Sequence, residues 1–272
     1  MGIVAGVEVV LAPNPSLMTG AGANSYVVFG PEGGCVVIDP GPDDEGHLTQ
    51  LARVGKERGG VRAILVTHGH PDHDAGAARL RALTGAPVLA WTRDGVESAD
   101  GMLSDGESVD AGGRRLVALY TPGHRFDHLC FLAPDAGVLF AGDLVAGAGT
   151  VVIAPPEGDL ADYMASLRRL LALDLRAILP GHGPVIDDPR ALLESYIQHR
   201  EGREAQILRG LAAGDRTVDA LVARIYAGVD PALRQAAALS VTAHLEKLAR
   251  EGRVIRDAGA FVADGVEMWR PS

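Results

Sequence analysis

Three histidines and an aspartate crowd into the seven residues Thr67-His68-Gly69-His70-Pro71-Asp72-His73, directly after the apolar run Ala63–Val66. A run of Val, Ile and Leu between breakers reads as a strand, so the cluster sits at a strand end. Neutral imidazole and carboxylate suit zinc and related divalent ions. His68 and His70 are two residues apart, so on an extended or tightly turned segment their rings point the same way. Asp72 and His73 then address a neighbouring position. Ligands this close in sequence reach one tetrahedral ion only with strain, and two adjacent ions explain the cluster better.

A fold that uses this segment must bring further ligands to the same edge. The nine histidines supply them in clusters. His124 and His128 lie in Thr121-Pro-Gly-His-Arg-Phe-Asp-His128, after the strand-like run Arg115–Tyr120. His182 lies in Pro180-Gly-His-Gly-Pro184, after Ala177–Leu179. Asp143 closes Ala-Gly-Asp after Val138–Phe140. Four strand ends therefore carry imidazole or carboxylate. Gly69, Gly123, Gly142 and Gly181 flank these ligands and allow the backbone to approach closely.

The rest of the order fixes the class. Short strand-like runs (Ile3–Leu11, Ser25–Phe29, Cys35–Ile38) precede a helix at His47–Arg58. A small-residue helix (Ala75–Thr84) and the strands Val88–Trp91 and Leu129–Leu132 follow, then helices at Leu160–Leu173 and Pro189–Leu211. Strands, βα units, more strands and βα again predict an α/β (α+β) protein with two sheets and helices outside. With 272 residues, 47% hydrophobic, the chain has ample core without cross-links. Cys35 and Cys130 read as small core residues, and a reducing compartment fits them.

From Thr217 the texture changes. Val218–Tyr226 and Pro231–Glu251 read as helices, and Arg253–Arg256 with Glu267–Arg270 as a ribbon around a Gly turn. Helix, helix, ribbon is a winged-helix-like arrangement, and the expected division is 1–204 and 205–272. The net charge is −10, and residues 200–272 hold 11 Lys and Arg against 10 Asp and Glu. A segment that grips DNA needs a clear positive excess, so specific DNA binding is disfavoured. A structural or homodimer-forming role suits the segment better. The first basic residue is Arg53, which leaves nothing for a secretory or transit leader, and no uncharged, proline-free run reaches the ~20 residues of a membrane helix. The expectation is a cytoplasmic protein with no membrane partner.

Here the pattern resembles a family. His68-x-His70-x-Asp72-His73 with His124, Asp143 and His182, in order, resembles the metallo-β-lactamase-fold hydrolases from about Val4 to His199. The resemblance implies an αββα sandwich with a C-terminal winged-helix-like domain. It implies two Zn²⁺ per chain (Mn²⁺ or Fe as substitutes): one on His68, His70 and His124, one on Asp72, His73 and His182, with Asp143 between them. Asp72 would also orient the attacking hydroxide, which makes it the catalytic candidate. The bridging aspartate is similar to glyoxalase II and ribonuclease Z, and leaves β-lactam hydrolysis as a side activity.

The flanks Gly22-Ala-Asn-Ser-Tyr26, Gly147–Val152, Asp162–Leu167, Pro180–Ile186, Tyr196–Arg200 and His244–Leu248 resemble the lactamase-β-like protein 2 branch. That resemblance implies a phosphodiester (single-stranded RNA) or thioester substrate. A rival reading within the fold is an iron-dependent sulfur dioxygenase.

Other residues are ambiguous. His128 reads equally as a group that orients a ligand or as a hydrogen-bonded core histidine. Asn24, Thr150 and Tyr163 read as substrate contacts or as supports for the ligands, against the plainer role of turn and core residues. His199 and His244 read as structural helix residues. His47 reads as a surface residue beside a helix cap.

Overall fold

The computed structural model describes residues 4–257 and 267–272. The Gly turn expected between the two ribbon strands lies outside the described residues, as does the start of the Ile3–Leu11 run. The first half contains β1 (Val7–Leu11), β2 (Asn24–Phe29), β3 (Cys35–Ile38), α1 (Glu45–Glu57), β4 (Val61–Leu65), α2 (Pro71–Asp74), α3 (Ala77–Thr84), β5 (Val88–Ala90) and β6 (Gly101–Met102). Its strands form one six-stranded sheet in sequence order, parallel from β3 to β6. The second half adds β7 (Ser108–Asp110), β8 (Arg115–Tyr120), β9 (Leu129–Ala133), β10 (Val138–Gly142), α4 (Leu160–Leu171), β11 (Ala177–Pro180) and α5 (Pro189–Ala212). These strands form a five-stranded sheet, β11-β10-β9-β8-β7.

Strand alternation sorts the apolar runs into layers. Val28, Val36, Ile38 and Leu65 face Leu129, Phe131, Phe140 and Leu179 across the gap between the sheets. Their neighbours Val27, Val37, Ile64 and Val66 face the other way, onto Leu48 and Leu51 of α1 and Leu80 of α3. Cys130, Leu139, Ala141 and Ile178 face outward onto α4 and α5 through Tyr163, Leu167, Leu193 and Tyr196. Helix, sheet, sheet, helix is the expected sandwich. Both cysteines are buried and free. Asp159 caps α4 by accepting from the amides of Ala161 and Asp162, and Asp44 caps α1 through the amide of His47. The expected surface position of His47 is corrected: it is buried, and its Nε2 lies 2.9 Å from Ser25 Oγ.

Past the sandwich come α6 (Val218–Ile225), a 3₁₀ turn at Pro231–Leu233, α7 (Arg234–Arg250) and the antiparallel ribbon of β12 (Val254–Asp257) and β13 (Met268–Pro271). α5 runs unbroken through position 204. Its Leu193 and Tyr196 belong to the sandwich core, while Ile207 and Leu211 join Leu221, Val241, Leu248 and Trp269 in a second core. The junction is ionic. Glu204 is buried between Lys247 Nζ at 2.7 Å and Arg253 at 3.4 Å. Among the described residues no helix is long and apolar enough to cross a membrane.

Candidate metal centre

The site forms where β4, β8, β10 and β11 end along one edge of the two sheets. The segment after β4 uses two conformations. His70 is extended, at φ −81° and ψ 142°, and Pro71 then starts the single-turn helix α2. His70 is thus presented from extended backbone, and Asp72 and His73 from a helical turn. That change of backbone splits four adjacent ligands between two positions.

The first position gathers His68, His70, His124 and Asp143. His68 Nε2 lies 2.9 Å from His70 Nδ1, and His124 Nε2 lies 3.1 Å from the same atom. The outer nitrogens of two rings are engaged elsewhere. His124 Nδ1 donates to the carbonyl of Val152 at 2.8 Å. Thr67 Oγ1 donates to Asp39 Oδ2 at 2.8 Å and receives His68 Nδ1 at 3.0 Å. Both histidines therefore turn an unprotonated Nε2 inward, so lone pairs face each other around one point. Burial drives the His68 pKa far down, helped by the charges of His73 and His124. Burial and His124 pull that of His70 down to about 4.

The second position gathers Asp72, His73 and His182. His73 Nδ1 is held by Asp39 Oδ2 at 2.8 Å. Its Nε2 is fully buried without a hydrogen-bond partner, 3.4 Å from Asp143 Oδ1 and 3.7 Å from Asp72 Oδ2. His182 Nε2 lies 3.2 Å from Asp72 Oδ2 and 3.4 Å from Asp143 Oδ1. Asp143 thus faces both positions, with Oδ2 at 3.8 Å from His124 Nε2. Burial raises the Asp143 pKa, but the facing imidazoles, His73 above all, outweigh it and hold the carboxyl well below the usual range. Gly181 is required here: a Cβ would stand 2.6 Å from both Asp143 Oδ1 and His73 Cε1.

Imidazole nitrogens, one of them (His73 Nε2) without any hydrogen-bond partner, converge with carboxylates at two adjacent points, which suits a pair of divalent cations. The donor set is all imidazole and carboxylate, and each position offers at least three donors. The residues present therefore fit the group that the sequence pattern implies.

The remaining candidates divide. His128 is buried and points away from the converging atoms; its Nε2 accepts from the amide of Asp143 at 3.2 Å and its Nδ1 meets Thr121 Oγ1 at 3.0 Å. It fixes the backbone that carries Asp143. Asn24 donates to the carbonyls of Pro180 and Gly183 at 3.0 and 2.9 Å, which pins the turn bearing His182. Tyr163 is fully buried, and its hydroxyl donates to the Leu144 carbonyl at 2.8 Å. Neither Asn24 nor Tyr163 lines the cavity, and both hold backbone beside the ligands. Thr150 does line it.

Two further side chains support the ligands, and the first of them escapes sequence reasoning. Asp39, at φ 52°, receives Thr67 N, Thr67 Oγ1 and His73 Nδ1. Asp127 receives the Gly69 amide at 3.0 Å and Arg125 Nε at 2.8 Å. The available signal for Asp39 was Asp39-Pro40-Gly41 at the end of a fifth strand, β3, the same strand-end logic that exposes the ligands.

A cavity of about 790 Å³ starts at His70, Asp72, His124, Asp143 and His182. It runs under the 146–154 loop to Tyr226, Val229, Leu233 and Ala237 of the C-terminal helical segment. His199, Arg200 and Arg203 of α5 also line it.

Comparison with known proteins agrees with the geometry. Residues 18–182 match the model of the metallo-beta-lactamase superfamily, and residues 217–263 match the beta-lactamase associated winged helix domain. The chain is 32% identical to lactamase-like protein adaB of Aspergillus niger, over 90% of this chain and 80% of that protein. It is 33% identical to the beta-lactamase-like protein 2 homolog of Drosophila melanogaster, over 90% of this chain and 88% of that one. The crystal structure of a metallo-beta-lactamase family protein from Thermus thermophilus superposes with a TM-score of 0.81, at 25% identity and full coverage of both chains.

Proposed function

This chain belongs to the metallo-beta-lactamase superfamily, and from that premise we propose that it hydrolyses an acyl thioester or ester of a mid-sized organic acid. The carrying observation is the cavity. About 790 Å³ suits a small organic group. Its walls of Val151, Val229, Leu233 and Ala237 favour an apolar body over a string of stacked, charged nucleotides.

In this reading His68, His70 and His124 would hold one ion and Asp72, His73 and His182 the other, with Asp143 facing both positions. When bound, two divalent ions, zinc in our reading, supply Lewis-acid activation of water and stabilisation of charge developing on the attacked group. The chain's own residues set the geometry. Asp39 keeps the proton on His73 Nδ1, and the Val152 carbonyl keeps it on His124 Nδ1, so both rings present Nε2. Asp72 is the catalytic residue: its carboxylate is 27% exposed toward the cavity, where it accepts a hydrogen bond from the attacking water and orients it. The apolar wall excludes bulk water from the acyl chain.

The test is turnover of an acyl-thioester panel and a fluorescent single-stranded RNA by metal-loaded protein, with metals counted by mass spectrometry. We expect near two Zn per chain, thioester turnover, and loss of at least a thousandfold in kcat/KM for Asp72→Ala with the fold intact. RNA cleavage without thioester turnover would replace the substrate class. One Fe with oxygen consumption would replace hydrolysis by oxidation.

A further inference from the structure

The cavity has a second polar end. Arg200 lines it, yet only 2% of the residue is exposed. Its Nη2 donates to the Val151 carbonyl at 2.6 Å, and its guanidinium carbon lies 5.2 Å over the Tyr163 ring. Its Nε is buried with no hydrogen-bond partner. One turn on, Arg203 stacks on Tyr226 at 4.1 Å, gives Nη1 to Gln206 at 2.7 Å, and also has a buried Nε without a partner.

Buried cations are ordinarily paired. Here the nearby carboxylates are already taken. Glu204 binds Lys247 and Arg253. Glu157, also on the cavity wall, binds Arg125 at 2.9 Å. Asp72 and Asp143 face the histidines. Among the described residues neither guanidinium has a carboxylate within 4.0 Å, although the chain carries a net charge of −10. Two guanidiniums without a carboxylate partner, beside the apolar stretch formed by Val151, Val229, Leu233 and Ala237, form a receptor for an oxyanion.

We propose that Arg200 and Arg203 form an anion-recognition subsite, so that the substrate of this hydrolase carries a carboxylate or phosphate at the end remote from the bond that is cut. The subsite rests on the reading that this cavity holds the substrate. It selects acids with a second charged end over simple fatty acids, because an apolar chain alone leaves the buried guanidinium of Arg200 and the half-buried one of Arg203 without an anionic partner.

The experiment is calorimetric binding to the full, zinc-loaded chain. The probes are α,ω-dicarboxylates of four to twelve carbons, each against the monocarboxylate of equal length. One carboxylate can reach the metal end in every probe, so the comparison isolates the second charge. We expect one chain length at which the dicarboxylate binds at least tenfold more tightly. Arg203→Gln should reduce that preference to less than threefold with the monocarboxylate affinity unchanged, and Arg203→Lys should fall between. An ω-phosphate analogue of the preferred length reports which oxyanion is favoured. Absence of a preference at every length overturns the proposal, and wild type alone gives that result. A preference that survives both Arg203→Gln and Arg200→Gln also overturns it. The binding readout stands apart from turnover, so failure of hydrolysis on every substrate rejects the hydrolase reading and leaves this one to be judged by itself.

Discussion

Two regions of the molecule bury the same kinds of polar side chain to opposite ends. At the sandwich edge, five histidines and two aspartates turn their inner atoms toward a common centre, and Asp39, Thr67 and the Val152 carbonyl occupy the outer nitrogens. At the junction of α5 with α7, Glu204, Lys247 and Arg253 pair with one another. His244 is fully buried beside them, with neither ring nitrogen in a hydrogen bond. Burial of a histidine is therefore no mark of a site. What distinguishes the sandwich edge is convergence: its orphaned His73 Nε2 sits within 4 Å of two carboxylates that other imidazoles also face.

Three perturbations sharpen that contrast. The largest effect is expected at the junction. Glu204→Gln leaves the charge of Lys247 buried with less compensation, and should lower stability by about 3 kcal/mol in chemical denaturation. The capacity of the variant to take up added zinc should not change. Loss of that uptake would show that the two regions are not separate. At the other region, Asp39→Ala leaves His73 Nδ1 and Thr67 without their acceptor. Zinc affinity, measured by competition with a chelator, should fall by roughly 10–100-fold. An unchanged affinity would show that the convergent set needs no outer support.

The smallest effect is one of pH. Burial, followed by the charges of Arg200 and Arg203, pulls the His244 pKa down to about 2. The folded value lies below the unfolded value of about 6.5. Stability from keeping His244 neutral is thus complete above about pH 6.5 and is lost as the pH falls toward the folded value, because only the unfolded chain takes up the proton. The expected slope is about 1.4 kcal/mol per pH unit below pH 6. Denaturation of wild type and His244→Leu at pH 7 and pH 5.5 measures it: the variant should lose less stability on acidification.

The ligand set was legible in the sequence because each member follows an apolar strand, where a polar cluster has no structural purpose. The sandwich was legible for the same reason: runs such as Cys35–Ile38 and Ala177–Leu179 are apolar on both faces and must be covered on both. What stayed hidden has physical causes. β6 and β7 have two and three residues, too few to display a period. Asp39 reads as an ordinary turn residue, since its three donors come from residues 67 and 73. Tyr163 has the composition of a site residue, but its position on the inner face of α4 sends its hydroxyl to a backbone carbonyl. The cation pair on α5 was invisible because its meaning depends on carboxylates being claimed elsewhere, which only tertiary pairing decides.

The peptide Val151–Val152 joins the two ends of the cavity. One carbonyl fixes the ring of His124, and its immediate neighbour fixes the guanidinium of Arg200. An ångström of drift in that dipeptide disturbs reactivity and selectivity together. Redesign of the cavity should hold these two residues constant and vary Val229 and Leu233, which line it from a segment that holds none of the clustered histidines and aspartates.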